Sequence, residues 1–88
     1  MNNRQFELLD VLIMSPESVI FSGAAKAISC KNVKGIIDVL PGHSNFMSLI
    51  DKEIVVYHSN GSMQKLNTEK AIIKVVNNQI VILTNVEI

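Results

Sequence analysis

Twelve isoleucines and ten valines make up a quarter of this 88-residue chain, whereas alanine, the best helix former, occurs four times. β-Branched side chains lose rotamer freedom against a helical turn but pack well on a pleated surface, so this balance predicts an all-β fold. Ser15-Pro16-Glu17, Lys31-Asn32-Val33-Lys34-Gly35, Pro41-Gly42, Asn60-Gly61 and Asn77-Asn78 punctuate the apolar runs with turn residues. Turn signals at intervals of about 8 to 12 residues predict a small β-sandwich of about 8–10 short antiparallel strands, with residues 1–88 forming one domain. No repeat, linker or low-complexity segment divides it.

Phe6 to Met14 is apolar on both parities, Leu9, Val11 and Ile13 on one side and Leu8, Leu12 and Met14 on the other, and predicts a strand covered on both faces. Pro16 ends it, because proline removes a ladder donor and restricts Ser15. Val19 to Phe21 forms a second run, Ala24 to Cys30 continues extended, and Ile36 to Leu40 is another short run. Pro41-Gly42 predicts a type II turn, since proline presets its first central residue and glycine supplies the positive φ of its second. Phe46, Met47, Leu49 and Ile50 suit either a helical turn or an irregular packed loop. Asn60-Gly61 predicts a two-residue type I′ hairpin, which sets Tyr57 against Gln64, Val56 against Lys65 and Val55 against Leu66. Asn77-Asn78 predicts a second, with Val75 against Ile80 and Ile73 against Ile82.

Charge and reactive groups narrow the function. Eight basic and eight acidic residues balance, four of each sign in residues 1–44 and four of each in 45–88, so no basic field draws nucleic acid. The longest uninterrupted apolar runs, such as Val11–Met14 and Ile80–Leu83, hold four residues, against about 20 for a spanning helix. A single cysteine, Cys30, and two histidines, His43 and His58, provide no zinc-type cluster and no disulfide. Cys30 lacks a catalytic cysteine signature and reads as an inert buried thiol; His58 reads as a solvated residue beside a hairpin tip. The four glycines are too dispersed for a phosphate loop. Lys26, Lys31 and Lys34 form the one local excess of charge, read as a solvated loop. No enzyme activity and no cofactor are expected. The polar start Met1-Asn2-Asn3-Arg4-Gln5 and the free cysteine favour an intracellular location.

Ser15-Pro16-Glu17, followed four residues on by Phe21-Ser22-Gly23, then by Gly35 and by Val39-Leu40-Pro41-Gly42-His43, resembles the N-terminal β-sandwich of the ATP synthase epsilon subunit, called delta in mitochondria. The resemblance spans nearly the whole chain. Where the family loop commonly reads Gly-x-x-Gly-Glu-Phe-Gly, this sequence has Asn32, Gly35, Ile36, Ile37 and Asp38, so Ile36 replaces the usual acidic ring contact. Ser44-Asn45 replaces Ala-Pro after His43, and Thr68-Glu69-Lys70-Ala71 stands where the family has Ser-Gly-Gly. The family's C-terminal helical hairpin, its inhibitory arm, would follow Ile88, and a chain without that arm is expected to couple without inhibiting by that route.

The resemblance implies a non-catalytic rotor subunit of a proton- or sodium-translocating F-type ATP synthase, linking the gamma stalk to the c-ring. It implies a peripheral position on the cytoplasmic face of the cell membrane. It places His43 at the gamma-facing surface and Gly35, Ile36 and Ile37 at the c-ring, since two adjacent isoleucines cannot both point inward on a strand. The final hairpin carries a second apolar side, Ile72, Val76, Val81 and Leu83, interrupted by Lys74 and Gln79. Another strand segment, the chain's own 44–51 segment, or a partner, through Val81 and Leu83, must cover it. The rival reading is a free-standing sandwich that binds a peptide or small ligand.

Overall fold

The computed structural model describes residues 7–86, none of which is helical. Seven strands run in chain order: β1 (Leu9–Met14), β2 (Val19–Ala25), β3 (Ala27–Asn32), β4 (Gly35–Val39), β5 (Phe46–Tyr57), β6 (Met63–Val76) and β7 (Gln79–Thr84). They form one hydrogen-bonded order, β2-β1-β7-β6-β5-β3-β4. All neighbours are antiparallel except β1 and β7, which run parallel. The strand count falls below the expected 8–10 because β5 and β6, at 12 and 14 residues, each serve two layers. The first half of β5 and the second half of β6 extend the layer of β7, β1 and β2. Their other halves join β3 and β4.

The change of layer occurs at a β-bulge. Asp51 pairs with Lys70 but Lys52 pairs with Thr68, which leaves Glu69 as an extra residue on β6. Lys52 sits there at a φ of +69°. An unpaired residue bends its strand and raises the local twist, which folds the ladder over itself. Thr68 supports the bend: its hydroxyl donates to the Lys70 carbonyl at 3.2 Å and accepts from the Asn85 amide at 3.4 Å. Between the layers lies a core of Leu9, Val11, Ile13, Ile28, Val39, Ile54, Val56, Ile73, Val75, Ile80 and Ile82, all at most 1% exposed. At about 1.5 to 3 kcal/mol for each buried aliphatic side chain, this set supplies the main drive to fold.

Turn chemistry follows the sequence at most positions. The Ser15 hydroxyl accepts from the Glu17 and Ser18 amides and closes the β1–β2 connection. The His43 amide donates to the Leu40 carbonyl at 3.0 Å around Pro41-Gly42, with Gly42 at a φ of +89°, the expected type II turn. Asn77 and Asn78 both have positive φ, and their hairpin sets Val75 opposite Ile80 and Ile73 opposite Ile82, as expected.

Elsewhere the structure corrects the sequence reading. The β5–β6 hairpin is shifted by one residue: Tyr57 faces Met63, Val56 faces Gln64 and Val55 faces Lys65. Its loop has three residues, Ser59, Asn60 and Gly61, because only Gly61 turns left-handed, while the Asn60 side chain accepts from the Ser62 amide at 2.9 Å. The 46–50 segment is neither helical turn nor loop but the start of β5. β1 is covered on one side only, with Leu9, Val11 and Ile13 buried and Leu12 and Met14 half-buried; Phe6 lies outside the described residues. Lys26 bends the chain between β2 and β3, so the run from Ala24 to Cys30 is not one strand.

Candidate partner interface

Period-two alternation divides β6 and β7 into a core side and an outer side. Ala71, Ile73, Val75, Ile80, Ile82 and Thr84 are buried; Ile72, Val76, Val81 and Leu83 point away. The register arranges the outer side in rows across four strands. Leu12, Val81, Lys74 and Met47 form one row, and Met14, Leu83, Ile72 and Leu49 the next. Met47, Leu49 and Leu83 are 68%, 54% and 42% exposed, so the face is a largely apolar surface open to solvent, with Lys74 exposed within it. The 44–51 segment does not cover it. As part of β5 that segment lies beside β6 in the same layer, and its Met47 and Leu49 widen the bare face. Neither residue was legible as a contact in the sequence, although the alternation of Met47 and Leu49 with buried Ile50 is the signal that would have placed them.

Of the residues expected to meet partners, Val81 and Leu83 stand on this face, Val81 half-buried between Leu12 and Lys74. His43 is exposed on the loop after the type II turn, its ring tilted on Phe46 at 5.1 Å and its Nδ1 2.9 Å from the Ser44 carbonyl. Two asparagines hold that loop against the β6–β7 turn: the Gly42 amide donates to Asn78 Oδ1 at 2.7 Å, and the Asn77 amide to Asn45 Oδ1 at 2.9 Å. The other expected contact lies on the second layer. β3 and β4 are joined by Val33-Lys34, with Gly35 at a φ of +134°. Ile36 is 70% exposed there, whereas Ile37 packs against the core, which settles the facing of the two isoleucines. Lys26, Lys31 and Lys34 are exposed, as expected.

Nothing among the described residues resembles a catalytic centre. His58 is half-buried with Phe21 edge-on at 5.4 Å, a packing contact rather than the solvated tip expected of it. No group of three or more His, Cys, Asp or Glu that could hold a metal occurs among the described residues. An open groove of about 710 Å³ on the second layer is lined by Lys26, Ala27, Ser29, Leu40, Pro41 and Tyr57 among others. Its Asp38 accepts a hydrogen bond from the Ser29 hydroxyl. Cys30 is buried, and burial, aided by the Asp38 carboxylate, pushes its thiol up to about 11. A thiol held that high is almost wholly protonated at neutral pH and a poor nucleophile.

Alkylation of Cys30 at pH 7.5 is therefore expected to run about 100-fold slower than in the unfolded chain, and to accelerate toward pH 11. Folding raises this pKa above its unfolded value of 9.0, so the folded state binds more protons between the two values. The Cys30 contribution is then complete below pH 9 and declines as pH rises toward 11. A Cys30→Ala chain should lack that part of the alkaline decline in a denaturation series. Fast alkylation of the folded chain at neutral pH would contradict the inert reading.

A sandwich that leaves an apolar sheet face of this kind open to solvent carries the type of surface that marks protein–protein contact. The chain belongs to the family described as ATP synthase, Delta/Epsilon chain, beta-sandwich domain, whose model matches residues 8–87. It is 31% identical over 71 residues to the ATP synthase epsilon chain of Endomicrobium trichonymphae, covering 81% of this chain and 51% of that one. With the epsilon chain of Micrococcus luteus it shares 44% identity over 54 residues, 60% of this chain and 59% of the relative. The chain thus spans about half the length of these curated relatives. Its fold superposes on a chain of the Euglena gracilis mitochondrial ATP synthase, OSCP/F1/c-ring, with a TM-score of 0.83 at 16% identity, covering 88% of this chain and 50% of that one. A chain of the Tetrahymena thermophila mitochondrial ATP synthase central stalk and c-ring matches with a TM-score of 0.72 at 13% identity, covering 89% and 63%.

Proposed function

We propose that this domain is the coupling part of a non-catalytic central-stalk subunit in an F-type ATP synthase, joined to the gamma stalk on one side and to the c-ring on the other. The observation that carries the reading is the bare outer face of Met47, Leu49, Ile72, Val76, Val81 and Leu83, which needs an apolar partner. Val81 and Leu83 would meet gamma, with His43 beside the β6–β7 turn as a further gamma contact. Gly35, Ile36 and Ile37 would approach the polar loops of the c-ring, with Ile36 outermost. Torque transmission asks for a rigid body between two surfaces. A close-packed sandwich provides one, because a dense interior transmits load rather than deforming. The domain would lie peripherally in the F1 sector at the cytoplasmic face of the cell membrane, and ATP chemistry would take place in other subunits.

Co-purification with gamma and c subunits tests the assembly. A chain with Ile36→Cys tests the orientation, and the inertness of Cys30 keeps the new thiol the reactive one. Crosslinking from position 36 to c-subunit loops is expected in the assembled enzyme. Failure to crosslink, with position 36 still open to a small thiol reagent in the complex, would remove this tip from the ring.

A further inference from the structure

Lys74 and Gln79 break the apolar pattern of the outer side of the final hairpin, and of the two only Lys74 is charged. Lys74 is exposed on β6, opposite Val81 on one side and Met47 on the other. Ile72 and Val76 flank it along its own strand, and the diagonal positions are Leu49 on β5, Asn45 just before β5, and Leu83 and Gln79 on β7. None of these carries a carboxylate. Asp10, the nearest acid in the register, lies beyond Gln79 on β1. The ammonium therefore stands in the middle of the surface that assembly would cover.

Covering this face takes the lysine out of water, and a cation buried without a partner is strongly destabilising. An opposing carboxylate offsets that penalty and fixes the register of two otherwise featureless apolar surfaces. Resting on the assignment of this face to the gamma stalk, we propose that its partner is an apolar protein surface bearing one carboxylate that pairs with Lys74, and that this pair sets the docking orientation. Charge complementarity selects the occupant. A second copy of this chain would bring another Lys74 to the same apolar face. An anionic membrane is recognised by clusters of about four to eight basic residues, and this face offers two, Lys74 and Lys70, the latter opposite Asp51.

The experiment is a titration of the full chain against F1 assembled without it, comparing Lys74→Met, Lys74→Glu and Leu83→Lys with the parent. Lys74→Met keeps the apolar stem and removes the charge, which strands the partner's carboxylate, so affinity should fall by roughly 30-fold or more. Lys74→Glu should cost about 100-fold or more, and an acid-to-lysine exchange on gamma at the paired position should restore it. The salt dependence of binding should flatten in Lys74→Met. If Lys74→Met binds as well as the parent or better while Leu83→Lys abolishes binding, the face assignment stands and the ion pair is refuted. If Leu83→Lys also binds normally, the face itself is not the gamma contact. Thermal melts of each variant separate these outcomes from loss of folding.

Discussion

Leu83→Lys is expected to leave the chain folded but to abolish the proposed hold on the gamma stalk, whereas Ile82→Lys, one residue earlier on the same strand, is expected to destabilise the fold itself. Successive side chains of β7 point to opposite faces. Ile82 is 0% exposed between Ile13 and Ile73, and Leu83 is 42% exposed between Met14 and Ile72. A lysine at 82 loses the aliphatic packing and places an unpaired charge in the core, a loss of about 3 to 5 kcal/mol or more. A chain of this size has roughly 5 to 10 kcal/mol in total, so between about a third and all of it is lost and the melting temperature falls sharply. A lysine at 83 keeps its ammonium in water in the isolated chain and changes stability by about 0.5 kcal/mol or less. Assembly reverses that benefit, because the charge must then be buried against an apolar partner, and affinity should fall more than about 100-fold. Melting curves and titration against F1 lacking this subunit measure both arms. Strong destabilisation by Leu83→Lys would mean that the face is covered within the chain, and the partner reading would fall.

The contrast between two hairpins shows how far the fold was legible. Asn77-Asn78 gives the right register from sequence, because both residues adopt left-handed φ and the two-residue loop leaves no freedom to slide. Asn60-Gly61 carries the stronger turn signature and gives the wrong register. The Asn60 side chain accepts hydrogen bonds from Ser62 instead of leaving its backbone to turn left-handed, and the loop takes in Ser59. Turn composition names the place of a hairpin; local side-chain hydrogen bonds decide its count. The candidate interface was half legible for a related reason. Ile72, Val76, Val81 and Leu83 follow from the Asn77-Asn78 count, but Met47 and Leu49 required the 46–50 run to be a strand. Its mixed spacing suits helix, loop and strand alike until the β6 ladder is there to pair with it.

Deleting Glu69 is expected to abolish the cooperative fold, although Glu69→Ala should change stability by about 0.5 kcal/mol or less. Glu69 is exposed, and its side chain is not what the fold requires. Before it, the even-numbered positions of β6 face inward, with Leu66 packed on the core and Thr68 buried; after it, the odd-numbered Ala71, Ile73 and Val75 do so. The extra residue switches the parity, because a strand's inward set repeats every second position. Without it, one half of the strand must present Lys65 and Asn67, or Lys74 and its neighbours, to the core, or the ladder with β5 must slip by one residue and expose the inward set. Either outcome removes several fully buried aliphatics at about 1.5 to 3 kcal/mol each, more than the whole stability of the domain. The sequence has Thr68-Glu69-Lys70-Ala71 here, without the glycines common in the family, so at this site the bend rests on residue count and on the Thr68 hydroxyl rather than on glycine freedom. Circular dichroism and urea denaturation of the deletion and the alanine variant decide the matter. A deletion chain that unfolds cooperatively near the parent midpoint would show that the bulge is dispensable.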